Sequence, residues 1–100
     1  MSLNIEKKIA ENALVKLTGR LDTTTAPELE AVVDELLPEA KELILDLEQL
    51  EYISSAGLRV ILKAQKAMNL KGNMRLIHVP DSVMEVFDIT GFADFLTIDS

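Results

Sequence analysis

Two adjacent hydroxyls, Ser54 and Ser55, stand out as groups that could do chemistry. They lie in Asp46-Leu47-Glu48-Gln49-Leu50-Glu51-Tyr52-Ile53-Ser54-Ser55-Ala56-Gly57-Leu58, where an apolar strand ends, the chain turns and a helix begins. One reading is local: a serine caps the helix, and Gly57 lets the backbone pack closely. The other is that a hydroxyl at a helix N-terminus accepts a phosphate, whose charge the free N–H groups and the helix dipole favour. Local chemistry leaves both open. Thr23-Thr24-Thr25 also precedes a helix start and could cradle a phosphate; capping plus a polar loop is the simpler reading. The only histidine, His78, ends an apolar strand and reads as structural. The sequence holds no G-x-x-x-x-G-K-[ST], G-x-G-x-x-G or G-x-S-x-G motif and no convergent His and Cys ligands. It therefore points to no catalytic centre, cofactor or metal.

The elements that must position these groups alternate. Leu3 to Ile9 and Ala13 to Thr18 read as a β-hairpin, with Glu11-Asn12 between them. Gly19-Arg20-Leu21-Asp22 closes the second strand. Thr25-Ala26-Pro27-Glu28 fits a capping box with proline in the first turn. Leu29, Val32, Val33, Leu36 and Leu37 then form one helical stripe, with Glu28, Glu30, Asp34 and Glu35 on the remainder, until Pro38. Leu43 to Leu47 reads as a strand buried on both faces. Glu48 to Glu51 reads as a polar connection, leading into the serine turn.

The next helix runs to about Leu70, with Leu58, Ile61, Leu62 and Met68 inward and Arg59, Lys63 and Lys66 on another face. Gly72 is a natural end cap. Met74 to Val79 is a strand, and Ser82 to Glu85 fits a second capping box opening a short helix. Phe92 and Phe95 are expected to plug the core, and Leu96 to Ile98 to add an edge strand. The order ββαβαβα with a final β implies an α/β fold whose mixed sheet is mostly parallel, with right-handed crossovers.

One hundred residues is the length of one ordinary domain. A composition 48% hydrophobic and 27% charged is globular rather than disordered. A net charge of −7 argues against direct nucleic-acid binding, which needs clustered Lys and Arg. No apolar run is long enough for membrane insertion. The start, Met1 to Lys8, has no secretory pattern, so the cytoplasm is the default location. Without cysteine there is neither a disulfide framework nor thiolate chemistry.

The segment Asp46 to Leu58 resembles the signature of the STAS family, the sulfate-transporter and anti-sigma-factor-antagonist domain. That signature is an apolar strand ending in Asp-Leu, a spacer, Ile or Met, a small polar pair, Gly and Leu. Gly19-Arg20-Leu21-Asp22 resembles the family's earlier G-x-[LI]-D element, and the element order fits over essentially the whole chain. The resemblance implies helices packed mainly on one face of the sheet. In the antagonist branch it implies phosphorylation of the serine two residues before the glycine, here Ser55, by an anti-sigma factor that is a serine kinase. The unphosphorylated form binds that kinase and frees a sigma factor; a serine phosphatase resets the switch. On this reading Asp22, Tyr52, Ile53, Ser54, Ser55 and Arg59 form a partner-binding edge.

Well-known antagonists often carry Asp just before the modified serine, where this chain has Ser54; Ala56 removes a rival hydroxyl on the other side. Two other classes compete with the regulator. One is a STAS accessory subunit of a membrane transport complex, marked by indifference to Ser55→Ala. The other is a small flavodoxin-like enzyme using the threonine loop, for which no catalytic constellation exists.

Overall fold

The computed structural model describes residues 3–8 and 12–99. The elements are β1 (Leu3–Lys8), β2 (Asn12–Leu21), α1 (Ala26–Leu36), β3 (Glu42–Ile53), α2 (Ser55–Asn69), β4 (Asn73–Ile77), α3 (Asp81–Thr90), a 3₁₀ turn (Phe92–Phe95) and β5 (Ile98–Asp99). The sheet order is β1-β2-β3-β4-β5. β1 is antiparallel to β2, with Leu3 opposite Gly19 and Lys8 opposite Leu14, and the other pairings are parallel. The expected mixed, mostly parallel sheet is therefore present. The first strand was expected to reach Ile9, which lies outside the described residues.

Each parallel strand is added on the same side of the last, so right-handed crossovers place the connecting helices on one face of the sheet. Burial along β3 agrees: Leu43, Leu45 and Leu47 are buried, while Ile44 and Asp46 between them are only partly so. The expectation of a strand buried on both faces is thereby corrected. Ile44 and Asp46 share the uncovered face, where Arg75 pairs with Asp99 at 2.8 Å. The covered face and the helices enclose one core that includes Val15, Leu17, Leu29, Val33, Leu58, Ile61, Met68, Leu76 and Phe87. Leu62, expected inward, is partly buried against that core.

Glu48 to Glu51 is not a connection; β3 continues through it to Ile53. The pairing with β2 slips twice: Lys16 faces Asp46 but Thr18 faces Gln49, and Gly19 faces Leu50 but Arg20 faces Tyr52. At each slip β3 carries one extra residue, a β-bulge. Because an extra residue reverses which face the following side chains meet, inward positions pass from every second residue (Leu43, Leu45, Leu47) to every third (Leu50, Ile53). Gly19, at the second slip, has φ 109°, a backbone conformation that glycine adopts without steric cost.

Both expected capping boxes are absent. The Thr25 side chain makes no cap bond to α1, and Ser82 lies inside α3, which Pro80 precedes. Gly72 is a point of close approach, since a Cβ there would run into the Lys41 carbonyl. The left-handed cap belongs to Gly91, at φ 79° after α3. Phe95 does not plug the core; it is 63% exposed, and Phe87 and Leu96 are buried instead.

Candidate functional site

The ends of β2 and β3 and the start of α2 meet at one point. Leu21 pairs with Ile53, and the Ser54 N–H donates to the Leu21 carbonyl at 2.9 Å. Gly57 seals the junction: a Cβ there would stand 2.6 Å from Leu21 Cγ and 3.2 Å from Ile53 Cγ1. Close packing is thus a real requirement at Gly57, as one of the two sequence readings held.

The two serines do different work. Ser54 is the N-cap, in extended conformation, with its Oγ accepting from the Gly57 N–H at 3.4 Å. Its carbonyl accepts the first helical bond from Leu58 N–H at 2.9 Å. Ser55 is the first residue of α2, exposed to solvent, and its hydroxyl makes no hydrogen bond among the described residues. No acidic residue occupies the first turn of α2, so the positive end of its dipole is uncompensated.

Around this turn stand Tyr52, 42% exposed, and Arg20, whose guanidinium lies 4.3 Å from the centre of the Tyr52 ring. Such cation–π contacts contribute about 0.5–1 kcal/mol at exposed sites. Arg59, one helical turn after Ser55, is exposed. Ile53 departs from the expected exposed edge. It is 3% exposed and packs towards Gly57, because the second bulge gives Tyr52 the outward position and Ile53 the inward one.

Asp22 organises the loop after β2. Its Oδ1 accepts from the Thr24 hydroxyl at 2.7 Å, the Thr24 N–H at 3.0 Å and the Thr25 N–H at 3.1 Å. The Thr24 hydroxyl is the largest influence holding the Asp22 carboxyl below the usual carboxylate range; the backbone bonds and the Thr25 hydroxyl add to it, against partial desolvation. Buried Thr25 donates to the Arg20 carbonyl and accepts from the Asp22 N–H, both at 2.8 Å. The threonine loop is therefore a self-bonded turn, in which the donors of Thr24 and Thr25 are spent. His78 stands elsewhere, exposed beyond β4, with Nδ1 3.1 Å from Asp46 Oδ1.

Arg20 was not among the residues singled out for the site. The signals that could have found it are Gly19, since a glycine within a strand pattern marks a bulge, and the three-residue spacing of Leu47, Leu50 and Ile53. A hollow of about 380 Å³ lies between α3 and β5, lined by His78, Val79, Met84 and Ile98, and includes none of these groups. The serine turn is a surface feature.

A mixed sheet covered on one face, with a capped serine turn where the second helix begins, defines an α/β domain with one distinctive surface junction. The chain belongs to the STAS domain family, whose model matches residues 4–100. It is 31% identical to the anti-sigma-B factor antagonist of Staphylococcus aureus, over 99% of this chain and 94% of that one. The fold is also that of SpoIIAA, an anti-sigma factor antagonist. Its unphosphorylated form matches with a TM-score of 0.77 at 16% identity, over 97% of this chain and 88% of that one. The phosphorylated form of SpoIIAA, the Bacillus cell fate determinant, matches with a TM-score of 0.75 at 17% identity, over 97% and 92%.

Proposed function

We propose that this chain is an anti-sigma factor antagonist. It binds a serine-kinase anti-sigma factor while Ser55 is unmodified, and phosphorylation of Ser55 by that kinase ends the interaction. A serine phosphatase restores it. The chain turns nothing over itself and acts in the cytoplasm. One observation carries the reading: of two adjacent hydroxyls, Ser54 is spent as the helix cap and Ser55 is exposed, with no hydrogen-bond partner among the described residues. The hydroxyl that can be modified without disturbing the cap is Ser55. The class of partner comes from the anti-sigma factor antagonists to which the chain is related.

The docking face on this reading is Tyr52, Ser54, Ser55 and Arg59, with Arg20 beside Tyr52 and the loop of Asp22 alongside. Phosphate adds about −1.5 to −2 charge at neutral pH. A partner surface shaped for a neutral hydroxyl then has to bury added negative charge for which it offers no counterpart. That costs several kcal/mol, or a hundredfold or more in affinity. The domain itself tolerates the charge, since the first turn of α2 carries no acid.

The test is reconstitution with the serine-kinase anti-sigma factor that co-purifies with the chain. In the presence of ATP, phosphate is expected on Ser55 by mass spectrometry. Ser55→Ala should keep binding and abolish incorporation, and Ser55→Asp should weaken binding partly, having about one charge rather than two. Phosphate on Ser54, or unchanged affinity of a fully phosphorylated domain, would sink the reading; the second result favours the transport-accessory role.

A further inference from the structure

Three of the chain's ten Lys and Arg lie on α2, at Arg59, Lys63 and Lys66, and none of its seventeen Asp and Glu do. In a domain of net charge −7 this helix is a cationic segment. Lys63 is neutralised by α1, pairing with Glu30 at 3.0 Å and Asp34 at 3.3 Å. Arg59 has no ion pair or side-chain hydrogen bond among the described residues, and it is exposed. It follows Ser55 by four residues, so the two side chains share one face of α2 as neighbours one turn apart. An anion placed N-terminal to a cation at this spacing is the more stabilising order.

We propose that Arg59 is the internal receptor for the phosphate on Ser55. The inference rests on Ser55 being the modified residue and adds what the modification does inside the domain. A guanidinium offers two parallel N–H donors matched to two phosphate oxygens, a pairing stronger than that of neutral groups. Nothing on α2 competes for it, because the helix has no carboxylate. The other arginine at the site, Arg20, is already placed over Tyr52.

The capture changes what a partner meets. In the unmodified domain Arg59 is a free cation beside a neutral hydroxyl, suited to an acidic group on the partner. In the phosphorylated domain that cation is turned inward and the same area is net negative. One event thus adds a repulsive charge and withdraws an attractive one, and both act against the same acidic partner.

The experiment places phosphoserine at position 55 of the full chain by genetic-code expansion and follows the phosphate by ³¹P NMR through its second ionisation. With Arg59 present, the midpoint is expected about half a pH unit or more below that of Arg59→Gln, since a neighbouring cation favours the dianion. Lys66→Gln and Arg20→Gln are expected to leave the midpoint where it is in the parent chain. An Arg59→Gln titration that overlays the parent, or a shift that appears on Arg20→Gln instead, overturns the proposal. The phosphate is already in place in every sample. The pairing can therefore fail while Ser55 remains the kinase's target, and it can hold even if the kinase modifies Ser54.

Discussion

Ser54 and Ser55 are chemically identical and one residue apart, and their environments predict opposite responses to the same substitution. Ser54→Ala removes the cap and should lower stability by about 0.5–1 kcal/mol, the low end for caps because the bond to Gly57 is long, at 3.4 Å. Ser55→Ala removes an unbonded exposed hydroxyl and should stay within about 0.5 kcal/mol of the parent in urea denaturation. Gly57→Ala pushes a methyl into Leu21 and should cost about 1–3 kcal/mol by the same measurement, together with affinity for the partner. Asp22 gives a pH signature. Its carboxyl is held below its ordinary range, so its stabilisation is complete above the unfolded-state value and fades as pH falls through the lowered folded value. The stability difference between the parent and Asp22→Asn, followed by melting from pH 7 down to acid, should be flat through neutral pH and shrink only on the acid side of the usual carboxylate range.

At the scale of elements, β3 decides what is outside and what is inside. The bulges let one strand use two spacings, with the unpaired residues absorbed outside the ladder with β2. Deleting Glu51 removes the extra residue of the second bulge while Leu50, Tyr52 and Ile53 keep their partners on β2. Tyr52 should therefore stay outward and Ile53 inward, and the domain should still fold at a cost of about 0.5–3 kcal/mol in urea denaturation. Glu51→Ala keeps the count and should lie within about 0.5 kcal/mol, as expected of an exposed side chain. The comparison also shows where the sequence was hard to read. Leu43 to Leu47 was recognisable as a strand from its run of apolar residues, but Leu47, Leu50 and Ile53 fit neither the two-residue period of a strand nor a long helix. Two charges and a glutamine among them suggested a connection, and the bulges that absorb them depend on pairing with β2, which no local window contains. The capping boxes failed for a related reason. Thr25 had the right spacing from Glu28, but its hydroxyl serves the Arg20 carbonyl and the Asp22 N–H across the turn.

For the whole molecule, the order of strands and helices was legible because each helix carries one apolar stripe and each strand is bounded by turn residues. Leu29, Val33, Ile61 and Met68 sit in the core as their spacing indicates. The candidate site was legible as a turn but not as a surface: which of Tyr52 and Ile53 faces solvent, and which arginine stands beside them, required the sheet. Charge is also distributed unevenly at this scale, with the acidic face of α1 beside the cationic α2, so association should be steered. Raising salt from about 50 to 500 mM is expected to slow association of the unmodified domain with its partner several-fold in stopped-flow measurements, and to change dissociation less. A salt-independent association rate would remove the electrostatic part of the argument.

Gly57 has one more consequence. By admitting no atom between α2 and the paired ends of β2 and β3, it welds three elements into a single piece beside Ser55, the proposed site of modification. That packing leaves little room beside Ser55 to convert a chemical change into movement. A phosphate on Ser55, as proposed, would therefore be legible only by touch, to a reader pressed against the same few ångströms. A protein built this way is closer to a stamped token than to a lever.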